Sequence, residues 1–91
     1  MKHSSYFDGK VQSLGMNSSE GFATVGVIEP GSYRFSTTQQ ETMVVTEGSL
    51  SYRLPDQDWK TAKKGEKFVV APGLAFDCRA DKDASYICYY K

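Results

Sequence analysis

Short runs of alternating apolar and polar residues, closed by glycine or by a Pro-Gly pair, recur along the whole of this chain. "FATVGVIE" ends at Pro30 and Gly31, "ETMVVTE" at Gly48 and "KFVVA" at Pro72 and Gly73; "SYRFST", "SLSYRL", "AFDCRA" and "YICYYK" follow the same rhythm. A period of two places every second side chain on one face of a strand, and no segment carries the apolar spacing of a helix. With "GKVQSLGM" and "WKTAKKG" the chain offers about nine short antiparallel strands, which predicts an all-β jelly-roll barrel. Pro30-Gly31 is expected to fold the strand before it back on the strand after it as a hairpin, and Gly48 to do the same.

The 91 residues hold one domain, 1–91, with residues 1–5 expected to be a disordered N-terminus. A core of that size is marginal, and open strand edges template aggregation unless closed, covered or paired. A barrel that pairs with a second copy answers both problems. The terminal run "ASYICYYK" is apolar or amphipathic on both faces, so one of them suits an interface.

Eleven basic residues balance eleven acidic ones, leaving no field to collect nucleic acid or an anionic membrane. "MKHSSYFDGK" lacks the apolar core of a signal peptide, and no stretch has the length to span a bilayer, so a cytoplasmic location is expected. Cys78 and Cys88 are expected to be reduced, small hydrophobes on neighbouring strands. The one histidine, His3, stands near the N-terminus, so neither thiol has an imidazole to activate it.

Glu41 is the residue that asks for a chemical explanation: a carboxylate at the start of "ETMVVTEG", with six residues between it and Gly48. Together with the downstream glycine-started strand and the "PG" turn, this pattern resembles the two signature motifs of the cupin family. Metal-binding cupins carry two histidines two apart before the glutamate and a third after the proline turn. Here the first two positions fall on Phe35 and Thr37, and the third on Phe76, or on Asp77 if the turn is anchored at Pro72. Alternation favours Phe76, since Leu74, Phe76 and Cys78 form the apolar set. Without imidazole donors no metal site is expected.

A second resemblance covers nearly the whole chain. "YFDGKVQSLG", "TVGVIEPGSYRFST", "ETMVVTEGSLSYRLP", "FVVAPGLAFD" and "SYICYY" are similar, in order, to the small cupin-fold pyrimidine/purine nucleoside phosphorylases. The resemblance implies phosphorolysis: a nucleoside and inorganic phosphate give free base and pentose 1-phosphate, with no metal or organic cofactor, in a homodimer. For such chemistry Glu41 suits the pentose hydroxyls and the positive charge that develops at C1, and Thr37 can donate to phosphate or sugar. Tyr33, Phe35, Met43 and Phe76 are candidates for an apolar wall against which a base stacks without being read. Tyr86 and Tyr90 are candidate donors to the leaving base. Lys10 is the preferred phosphate cation, ahead of Arg34, Arg53 and Arg79. The rival readings are a non-catalytic, metal-free cupin holding a small polar ligand or partner protein, and a metal-free sugar isomerase with Glu41 or a tyrosine as base.

Overall fold

In the computed structural model, which describes residues 1–91, ten strands and no helix make two antiparallel sheets. The strands are β1 (His3–Tyr6), β2 (Val11–Ser18), β3 (Gly21–Ile28), β4 (Gly31–Ser36), β5 (Glu41–Glu47), β6 (Ser49–Arg53), β7 (Lys60–Lys63), β8 (Lys67–Val70), β9 (Ala75–Ala80) and β10 (Ala84–Tyr90). The larger sheet runs β1-β2-β3-β10-β5-β8 and the smaller β4-β9-β6-β7. The strand beyond the expected nine is β1: residues 3–6, which overlap the segment 1–5 expected to be disordered, pair with residues 11–14 of β2.

The two expected hairpins are absent. β3 pairs with β2 and β10, whereas β4 pairs with β9 in the other sheet. Likewise β5 pairs with β10 and β8, and β6 with β7 and β9. Pro30-Gly31 and Gly48 are corners at which the chain changes sheet, as strands do where two sheets cross. At Gly48 the φ of +75° and the Asp83 carbonyl oxygen, 2.9 Å from where a Cβ would stand, both require glycine. Cys78 and Cys88 are therefore not on neighbouring strands either: β9 and β10 belong to opposite sheets. Both thiols are free and buried, and burial pushes each up to about 12.

The inner faces of the sheets meet in a core of Val11, Ile28, Val45, Leu50, Val70 and Phe76. Tyr52 of β6 stacks on Phe68 of β8 with ring centroids 3.8 Å apart, which closes the gap between the sheets at that side. Trp59 lies at the surface beneath the guanidinium groups of Arg53 and Arg79, 5.0 and 4.4 Å from its ring.

Thr37 ties the sheets together beside the core. Its hydroxyl donates to the Ala71 carbonyl at 2.7 Å and accepts from the Leu74 N–H at 3.1 Å, fixing the end of β4 to the Pro72-Gly73 turn. Thr37→Val takes this partner from the Ala71 carbonyl and the half-buried Leu74 N–H and is expected to cost about 0.5–1.5 kcal/mol. Urea unfolding checks it, and an unchanged midpoint would show that the hydroxyl carries no such load.

Candidate functional site

Where the sheets splay apart, a cavity of 480 Å³ opens between β2, β3, β10 and β5 on one side and β4 and β9 on the other. Its wall is built in rungs, because residues opposed across antiparallel strands share a face. Phe22, Tyr90 and Glu41 line it, with Tyr90 directly opposite Glu41. The next rung inward is Gly15, Thr24, Cys88 and Met43, and the innermost is Ser13, Gly26 and Tyr86. Glu41, Met43 and Val45 run in unbroken register with Tyr90, Cys88 and Tyr86, and the pairing of β5 with β10 shifts only beyond them, between Tyr86 and Ser85. Phe35 and Phe76 close the opposite side, 5.7 Å apart between ring centroids. Phe7, from the turn after β1, caps Phe35 edge-on at 5.6 Å.

Glu41 is half-buried, and burial raises its carboxyl above the usual range, opposed by the Cys88 thiol, which donates to Oε1 at 3.5 Å. Burial likewise raises Tyr90, whose hydroxyl shares a 3.2 Å hydrogen bond with Thr24. Both phenols and both thiols thus stay protonated at neutral pH, leaving Glu41 as the cavity's one carboxylate. A protonated thiol and a lone carboxylate, with Phe35, Thr37 and Phe76 at the cupin histidine positions, do not fit a transition-metal ion. No cluster of three histidine, cysteine or acidic side chains occurs, and His3 is bonded to Gln12 instead.

Of the residues expected at a site, the cavity brings together Glu41, Phe35, Met43, Phe76, Tyr86 and Tyr90. Three stand elsewhere. Tyr33 shares the phase of Phe35 but is buried in the core, its hydroxyl donating to the Glu29 carbonyl at 2.7 Å. Thr37 spends its hydroxyl on the Pro72-Gly73 turn, and Lys10 is an exposed turn residue away from the cavity. Asp77, the alternative to Phe76, faces outward, where the Arg53 guanidinium, with Arg34 beside it, holds its carboxyl below the usual range.

Sequence reasoning missed Ser13, Phe22 and Thr24, together with the contribution of Lys2 and Ser4 from the N-terminal edge. The signal was present in β2: Val11, Ser13 and Gly15 occupy the inward phase, so a polar and a vanishing side chain stand where a core strand would carry bulk.

Two sheets in this topology, with a ligand-sized hollow between them, define a cupin-type barrel. A cupin-2 domain protein from Shewanella frigidimarina superposes with a TM-score of 0.72 at 19% identity, over 87% of this chain and 79% of that one. A structure of unknown function from Vibrio parahaemolyticus matches far better, with a TM-score of 0.95 and 37% identity over 99% and 97% of the two chains. The sequence model described as pyrimidine/purine nucleoside phosphorylase matches residues 1–90. A protein of that name from Marinobacter nauticus is 48% identical over 86 residues, 93% of this chain and 92% of its own. The chain belongs to the pyrimidine/purine nucleoside phosphorylase family.

Proposed function

We propose that the protein is a nucleoside phosphorylase, transferring the pentose of purine and pyrimidine nucleosides to inorganic phosphate without a metal or organic cofactor. The observation that carries this reading, beside family membership, is Glu41 as the one carboxylate of a cavity lined by aromatic rings and hydroxyls, with the cations Lys2 and Arg34 also on its border. Phosphate attacks C1 as the bond to the base nitrogen breaks, and positive charge accumulates on the pentose ring. Glu41 accepts hydrogen bonds from the pentose hydroxyls and offsets that charge. Tyr90, a neutral donor opposite Glu41, is placed to meet the departing base. Phe35 and Phe22 present ring faces and edges that tolerate any flat heterocycle. The reaction belongs in the cytoplasm, where nucleosides and phosphate meet and both thiols remain reduced.

Incubation of purified protein with uridine or adenosine and phosphate, followed by chromatography, should give free base and pentose 1-phosphate. Release of base at the same rate without phosphate, or no release from any common nucleoside, would overturn the assignment.

The protein also carries a surface suited to a second copy of itself. On the outer face of the larger sheet Leu14, Val25, Ile87 and Val44 fall in register as one continuous row across four strands. Met16, Val27 and Val69 extend it, and all three are exposed. An apolar sheet face of this kind, on a chain too small for a large core of its own, fits a two-fold partner. The expected result is a dimer by light scattering that Val25→Lys converts to monomer. A monomeric wild-type protein at micromolar concentration would exclude this interface.

A further inference from the structure

The innermost rung of the cavity has no assigned task. Ser13 and Tyr86 are each 7% exposed, and both line the cavity. Neither hydroxyl has a hydrogen-bond partner in the protein, yet no side-chain polar atom is both sealed from open space and unpaired. Their hydroxyls therefore reach the open space of the cavity, free to donate to whatever occupies it. The two are neighbours across Gly26, which stands between them on β3 in register with both. Only glycine permits this: a Cβ on residue 26 would stand 2.5 Å from the Tyr86 hydroxyl oxygen. Ser4 is paired with Ser13 from β1, and Lys2, whose carbonyl accepts from the Gly15 N–H at 2.7 Å, also borders the cavity.

We propose that Ser13 and Tyr86, with Ser4 and Lys2 at their edge, form the subsite that holds inorganic phosphate. The assignment rests on the phosphorylase reading and moves Tyr86 from the leaving base to the incoming nucleophile. It also replaces Lys10, which does not line the cavity.

Three features single out phosphate over base or sugar. The rung offers hydroxyl donors with no carboxylate among them, as an anion with several acceptor oxygens requires. It lies two rungs from Glu41, about 13 Å along the strand before the side chains reach inward. A dianion would be repelled beside that carboxylate, whereas a pentose laid between the two ends has its hydroxyls at Glu41 and C1 toward the phosphate. The aromatic faces suited to a base lie elsewhere, on Phe35 and Phe22. Burial holds the Tyr86 phenol protonated, so it remains a donor throughout the physiological range.

The test separates the two substrates. In Ser13→Ala and in Tyr86→Phe the KM for phosphate should rise about 10–100-fold, with the KM for nucleoside and the Tm of the free protein unchanged. A rise confined to nucleoside KM, or no change in either constant, overturns the assignment. Titration calorimetry with inorganic phosphate alone gives a reading independent of turnover. Wild-type protein should bind phosphate and the double variant should not. Binding that survives both substitutions, or no binding by the wild type, refutes the subsite. Phosphate binding lost in the double variant by a protein that cleaves no nucleoside would retain the subsite and refute the phosphorylase.

Discussion

Replacement of Glu41 by glutamine lowers phosphorolysis about 10²–10³-fold in kcat, because the neutral amide no longer offsets the charge that grows on the pentose in the transition state. Nucleoside KM moves less, since the amide oxygen still accepts a hydrogen bond. The pH dependence follows from the raised carboxyl: only its ionised form is active, so kcat/KM should fall on the acid side through a pKa above that of an ordinary glutamate. Stability runs the other way. A carboxyl whose folded pKa exceeds its unfolded value favours the fold below the unfolded pKa, and that contribution is lost as pH rises through the folded pKa. At neutral pH the Glu41→Gln protein should therefore show that loss of rate and yet be at least as heat-stable as the wild type. Calorimetry and steady-state rates measured from mildly acidic to neutral pH check both halves. An acid limb unchanged by the substitution would remove Glu41 from the mechanism.

Phe76→Ala is expected to destabilise the protein by about 3–5 kcal/mol, the largest loss of stability among the substitutions considered. Phe76 is 2% exposed and joins two regions, packing on Phe68 toward the closed side and on Phe35 toward the cavity. Its removal merges the core with a hollow already open to solvent, so water enters where a dry floor stood. A domain of this length has about 5–15 kcal/mol to lose, and partial unfolding at growth temperature is the expected phenotype. Phe76→Leu, which keeps most of the volume, should recover most of the midpoint in urea. A loss under 1 kcal/mol in the alanine protein would mean that Phe76 is only a cavity lining.

These two residues show what alternation can and cannot disclose. Period two assigned Phe76 inward and Asp77 outward, and it placed Glu41 in phase with Met43, as the structure has them. It is silent on which strand lies beside which. A proline-glycine pair serves a hairpin and a sheet-changing corner equally, so Pro30-Gly31 and Gly48 looked like hairpins until the partners of β4 and β6 were seen. It is also silent on what a polar group bonds to once it points inward. Tyr33, Phe35 and Thr37 share a phase, yet Phe35 reaches the cavity while the hydroxyls of Tyr33 and Thr37 are taken by carbonyls of Glu29 and Ala71. β1 escaped notice because four mostly exposed residues at an edge carry no apolar stripe; pairing with β2 is what orders them.

β10 lies in the middle of the larger sheet, flanked by β3 and β5 although it follows them by dozens of residues. On the ribosome, β1 to β9 therefore emerge as two unjoined parts of a sheet, with the Tyr86, Cys88 and Tyr90 wall still unmade. Nothing before residue 84 can bring Glu41 opposite its tyrosine, so a nascent chain halted there would have neither a completed barrel nor a substrate cleft.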